Sequence, residues 1–375
     1  MAALHTQLIK ETIFRDFVDF YGEEKFVNRT NGITPRRWLH QANPALSQLI
    51  TKKLGSSRWL THLDELDQLK QFADDPSFQA EWSKVKIENK KKLANYIKQN
   101  LNIDLDPHAL FDVQVKRIHE YKRQLMNVFG VMYRYLLIKK GAKFPKRVVI
   151  FGGKAAPGYY IAKLVIRLIH AVATVINNDE SIEESLKLVF IPDYNVSLAE
   201  IIIPASDISQ HISTAGTEAS GTSNMKFVLN GGLLLGTYDG ANIEIGEETG
   251  SENWFCFGAR TEQVSDLRHA NKYRGVQLSS ELEVVFEAML DGFFGDLSAL
   301  NPLIDSIING GDHYLVSFDF PLYIEVQDQV DREYQKTQSW SRKTIIAAAS
   351  MGKFSSDRCI QEYAKEIWNL KPIKK

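Results

Sequence analysis

The residue pattern predicts an α/β fold built on a parallel, doubly wound sheet. Short apolar runs at residues 111–115 (FDVQV), 147–151 (RVVIF) and 186–191 (LKLVFI) alternate with two long helical stretches. One stretch carries Leu125, Val128, Phe129, Met132 and Leu136. The other carries Ile161, Leu164, Val165, Leu168, Val172, Val175 and Ile176, and both sets have the 3.6-residue spacing of a single buried face. Strand, helix, strand in succession is the βαβ unit, whose crossover leaves neighbouring strands parallel.

Taken in order, residues 28–38 (NRTNGITPRRW) come first. Asn31-Gly32 turns the chain, Thr34 caps, Pro35 begins a helix, and Trp38 reads as core. Residues 115–123 (VKRIHEYKR) follow a strand and place Lys116, Arg117, Lys122 and Arg123 where a helix should start. The helix dipole disfavours cations there. The run is therefore either a solvated basic helix start or a set of cations gathered around an anion. Residues 151–158 (FGGKAAPG) lack the GxGxxG spacing and read as a tight strand-to-helix turn with Pro157 at the first helical position.

Residues 211–227 (HISTAGTEASGTSNMKF) are rich in glycine and hydroxyls and run into a helical pattern at Met225, Phe227, Val228 and Leu229. Such a stretch exposes backbone N–H groups and can cradle a phosphate. Lys226 falls in the first turn or so, where a free ammonium is disfavoured. It reads either as an ordinary surface lysine or as a nitrogen held in an imine or beside a phosphate. Residues 233–237 and 242–245 flank Asp239-Gly240, a turn signal that closes a hairpin or ends a strand in a loop. Beyond Thr261 the pattern is mostly helical, and Ser356 or Asp357 caps a final helix.

The composition narrows the function. With 45 basic and 46 acidic residues the net charge is −1, so no global field selects nucleic acid or an anionic membrane. Two cysteines, Cys256 and Cys359, make neither a disulfide framework nor a metal cluster and suit a cytoplasmic location. No uninterrupted apolar run approaches membrane-spanning length, and the N-terminal residues lack the pattern of a signal or transit peptide.

The long segments TNGITPRRW, VKRIHEYKRQ and EASGTSNMKF together resemble the α-glucan (glycogen or starch) phosphorylase family, and the likeness runs almost end to end. The resemblance implies the C-terminal, Rossmann-like domain of a two-domain GT-B type glycosyltransferase architecture. Residues 1–22 would be a hinge helix, 23–354 the domain that binds pyridoxal 5′-phosphate, and 355–375 a helix returning to the N-terminal domain.

It further implies that Lys226 forms the Schiff base with the cofactor. Gly221, Thr222 and Ser223 would cradle the cofactor phosphate with Lys116, while Trp38 and Tyr194 line its pocket. Arg117 and Lys122 belong where orthophosphate meets that phosphate, and Asn31, Glu218, Ser220 and Gly221 bind the glucosyl hydroxyls. Ser223 and Asn195 depart from the commonest family residues.

The implied reaction is phosphorolysis of a terminal α-1,4-linked glucosyl unit of glycogen, starch or maltodextrin to glucose 1-phosphate, in a homodimer when full length. Family members are about twice as long, so an inactive cofactor-binding fragment or interaction module is the competing expectation. A sugar-nucleotide-dependent glycosyltransferase of the same architecture is another, and it needs no Schiff-base lysine.

Overall fold

A computed structural model describes residues 1–182, 184–371 and 373 of the chain. Six parallel strands form one sheet: β1 (Leu110–Val115), β2 (Arg147–Gly152), β3 (Leu186–Ile191), β4 (Ile208–His211), β5 (Leu233–Thr237) and β6 (Phe255–Phe257). Their order, β3-β2-β1-β4-β5-β6, is that of a doubly wound sheet. All side chains of β1, β2, β4 and β5 are buried, as expected of strands covered on both faces.

The two amphipathic helices are Gln124–Lys139 and Tyr160–Asn177. The second is long and apolar enough by composition to cross a membrane. Its apolar stripe (Leu164, Val165, Leu168, Val172 and Ile176) is instead buried in the core cluster. A third long helix, Pro76–Leu101, starts at Asp75, whose carboxylate accepts from the Ser77 N–H at 2.9 Å, and stops at Asn102 with φ 54°.

The order reverses between β1 and β4, where ligands bind in open α/β sheets. β1 and β2 pair from Leu110↔Arg147 through Val115↔Gly152, whereas β1 and β4 share only Asp112↔Ile208 and Val113↔Ser209. The carboxyl ends of the central strands therefore diverge, and the chain leaving each lines a cleft. A Cβ on Gly153 would overlap the Lys116 carbonyl oxygen, so the turn after β2 requires glycine to pass the end of β1.

Local structure differs from the sequence expectation at several points. Residues 242–245 belong to the helix Ala241–Thr249, and no hairpin forms. β5 lies between two parallel neighbours, so the chain must leave its end through a crossover, with Gly240 at φ 51° as the turning residue. The basic run does not open a helix, because Lys116 and Arg117 lie in a loop, Lys122 in the 3₁₀ turn Glu120–Lys122, and the helix begins at Gln124. Pro157 precedes the helix start at Tyr160, Thr34 makes no side-chain cap, and Ser355 caps the last helix. The N-terminal helical stretch is two helices, Ala3–Glu11 and Arg15–Tyr21.

Candidate active site

The cleft contains a cavity of about 150 Å³ of water-accessible volume. Much of the wall comes from the carboxyl ends of strands: Lys116 after β1, His211 at the end of β4 and Ser213 after it, and Asp239, Ala241 and Asn242 after β5. Lys122, Glu218 and residues 220–224 complete the lining. Seven residues expected at the site from the sequence thus converge here: Lys116, Lys122, Glu218, Ser220, Gly221, Thr222 and Ser223. Asn31 reaches the same place, donating from Nδ2 to Ser220 Oγ at 2.5 Å.

Lys116 is the unusual cation. Its Nζ donates to His211 Nδ1 at 3.1 Å, which leaves His211 Nε2–H to donate to Ser209 Oγ at 2.7 Å. Burial drives the Lys116 pKa down to about 7 and that of His211 well below its usual value, with Lys116 and Lys122 adding to the effect on His211. A lysine beside a neutral imidazole and a second lysine is a cation without a carboxylate of its own. Lys122, in contrast, pairs with Glu218. Burial works against the Lys122 charge, but the Glu218 carboxylate outweighs it and the pKa rises.

The glycine-and-hydroxyl run turns sharply into the helix Ser223–Leu229. Among the described residues, the backbone N–H groups of Gly221, Thr222 and Ser223 donate to no protein acceptor, and Thr222 makes no side-chain cap. Free amides beside an under-neutralised lysine form an anion-binding concavity. One turn along, Lys226 Nζ lies 3.9 Å from the centroid of the Trp38 ring. Burial, with the nearby Arg37, lowers its pKa, and no carboxylate pairs it among the described residues. Asn230 Nδ2 fixes this cluster by donating to the Trp38 carbonyl at 2.6 Å and the Lys226 carbonyl at 2.9 Å.

Two expected residues lie elsewhere. Arg117 is exposed, outside the cavity lining. Tyr194 follows β3, packed against the core beside Gly152, with its phenol pKa pushed up to about 12 by burial. Trp38 is core, at 8% exposure, and also the floor beneath Lys226.

Sequence reasoning missed three groups. His211 has no local signature. Asp239 reads as a turn residue, yet its carboxylate accepts from Ser213 Oγ (2.7 Å), Gly216 N–H (2.9 Å) and Glu218 N–H (2.8 Å), and so shapes the whole loop 213–218. Arg123 is fully buried, bonded to Asp319 at 2.5 Å and to the Ile212 and Ser213 carbonyls at 2.7 and 3.2 Å, and it anchors that loop from behind. In the sequence Arg123 reads only as one more cation of the 115–123 run, and its φ of 56° at the helix start is not visible there.

Comparison with known proteins gives one consistent result. The model of the carbohydrate phosphorylase family matches residues 1–370. Glycogen phosphorylase of Saccharomyces cerevisiae is 52% identical over all of this chain and 44% of its own length. Glycogen phosphorylase 2 of Dictyostelium discoideum is 52% identical over all of this chain and 38% of its length, and glycogen phosphorylase of Synechocystis is 50% identical over all of it and 44% of its length. The chain thus spans less than half the length of these curated relatives. A lysine pocket at the switch point of a 3-2-1-4-5-6 sheet and a match of this extent lead to one conclusion: the chain belongs to the carbohydrate phosphorylase family.

Proposed function

We propose that this chain carries the pyridoxal-phosphate-binding half of an α-glucan phosphorylase, which transfers a terminal α-1,4-linked glucosyl unit to orthophosphate. The observation that carries the reading is Lys116: a half-buried lysine without a carboxylate of its own, lining the same cavity as Gly221, Thr222 and Ser223, whose backbone amides are free among the described residues. The residues fit the cofactor. Lys226 offers an amine whose pKa burial has lowered, which favours the neutral, nucleophilic form, and Trp38 offers a flat apolar face beneath it.

When bound, pyridoxal phosphate would supply a phosphate group able to exchange a proton with orthophosphate. The residues of the chain make that encounter possible. Two dianions about 5 Å apart repel by roughly 13 kcal/mol at an effective dielectric near 20. Lys116 and the amides of 221–223 would hold one phosphate, and Lys122 would meet the other. Glu218 keeps Lys122 charged and oriented in the cavity before an anion arrives. Glu218, Ser220 and Asn31 then face the sugar hydroxyls. The thiols Cys256 and Cys359 are both free, in keeping with a cytoplasmic enzyme.

The test is formation of glucose 1-phosphate from glucan and orthophosphate. It is run on the 375-residue chain and on a chimera that adds the remaining length of the Saccharomyces relative. We expect cofactor-dependent product from the chimera and little from the chain alone. A folded chimera that holds the cofactor but forms no product would overturn the phosphorolysis reading. Glucosyl transfer from a sugar nucleotide by that chimera would install the alternative glycosyltransferase.

A further inference from the structure

The helix Ala3–Glu11 brings one buried imidazole, that of His5, up to Asp239 of the cavity lining. His5 is 7% exposed, and neither of its ring nitrogens has a hydrogen-bond partner. A buried polar group left unmatched costs about 1–3 kcal/mol, and native structures pair the great majority. His5 Nε2 lies 3.6 Å from Asp239 Oδ1. That is just beyond a hydrogen bond, and a shift of under about 1 Å would close it.

Asp239 is the residue that collects Ser213, Gly216 and Glu218 onto one carboxylate. The N-terminal segment grips the same loop at a second point, where the Ala2 N–H donates to the Ala219 carbonyl at 2.9 Å. Gly240 allows the contact from the opposite side, because a Cβ there would overlap the Glu218 carbonyl oxygen. Glu218 is therefore held between the turn after β5 and the N-terminal helix, with His5 the one unpaired member of the contact.

We propose that His5 is a positioning residue for Glu218: its Nε2–H bonds to Asp239 Oδ1 when the loop 213–222 closes on an anion in the cavity. A neutral imidazole with its proton on Nε2 suffices, so the latch needs no titration. That Glu218 then faces a glucosyl group rests on the function proposed above; the latch itself concerns only this chain.

Hydrogen exchange at the Gly216 and Glu218 amides of the full chain, with and without orthophosphate, tests it. In the unsubstituted protein, phosphate should slow both amides about tenfold. In H5L the slowing should shrink to about threefold or less, and H5Q, whose amide can donate, should restore it. Should H5L fail to fold, H5F replaces it with the same two readings. Equal phosphate protection in H5L and the unsubstituted protein overturns the latch, as does no protection in either. The cofactor reading fails separately: protection that depends on His5 with no cofactor captured by Lys226 would leave the latch standing.

Discussion

Lys122 and Arg123 are neighbours in sequence but belong to two differently built charge clusters. In the protein interior, Arg123 pairs with Asp319, Arg134 with Asp331 at 2.7 Å, and Arg147 with both Asp112 and Asp331 at 3.0 and 2.9 Å. Each guanidinium there has a carboxylate, and several further donors reach carbonyls or Gln327, although the Nε atoms of Arg134 and Arg147 find no partner among the described residues. At the open edge, Lys116 has a neutral imidazole and Lys226 has an indole face. Burial alone therefore does not mark a functional cation. A buried cation supplied with its own carboxylate is architecture, whereas a half-buried lysine left without one beside free amides has the make-up of an anion site, which is the reading proposed for Lys116.

The largest effect that sharpens this contrast is on stability. R123A leaves Asp319 buried and unpaired and releases the Ile212 and Ser213 carbonyls, which should cost about 3–5 kcal/mol in urea unfolding. K116M should be close to neutral for the cofactor-free chain, within about 1 kcal/mol, because no partner charge is abandoned. The same substitution should weaken retention of pyridoxal phosphate about 100-fold, read by equilibrium dialysis. A cofactor-free chain destabilised as severely by K116M as by R123A would erase the distinction.

Next comes K122A. Lys122 balances Glu218 and lines the cavity, so its loss should reduce turnover of the active chimera about 100-fold or more while cofactor retention changes under threefold. Parallel losses in both would assign Lys122 to the cofactor phosphate instead.

The smallest effect is protonic. Lys116 titrates near 7, below the ordinary lysine value, so at pH 8 it is mostly neutral. An arriving phosphate restores its charge, and calorimetry in two buffers should show proton uptake at pH 8 that fades by pH 6 and is absent in K116M. The sign for stability follows. Lys116, near 7, and Lys86, near 8, both release protons in the folded state at lower pH than in the unfolded chain. The cost of burying their charges is full below pH 7 and is relieved as pH rises toward the unfolded lysine value, so their joint contribution should raise the urea midpoint between pH 7 and 9. Above about pH 9 Cys256, pushed up to about 12 by burial, opposes the trend.

The sheet was legible because parallel strands buried on both faces read as short unbroken apolar runs, and FDVQV, RVVIF and LKLVFI all became strands. From residue type alone the stretch 211–227 reads as a candidate phosphate cradle, and Lys116 as one cation of a run that either opens a solvated helix or faces an anion; joining residues 221–223 and Lys116 at one phosphate comes only from the family resemblance. Partnerships across long separations were not. Nothing near Arg123 shows that its carboxylate lies 196 residues away, nor that Lys122 beside it points into the cavity. Asp239 reads as a turn residue because Asp-Gly carries that signal by itself, whereas its three acceptor bonds exist only once β4 and β5 are paired. The helix at 241–249 was missed for a related reason, since only the parallel pairing of β5 with both its neighbours forbids a hairpin.

The most direct measurement is to incubate the chain with pyridoxal phosphate, reduce with borohydride, digest, and locate the pyridoxyl group by mass spectrometry. The account predicts modification concentrated on Lys226, with far less in K116M because the phosphate has lost its counter-charge. Labelling scattered over exposed lysines, or labelling of Lys226 indifferent to Lys116, would contradict it.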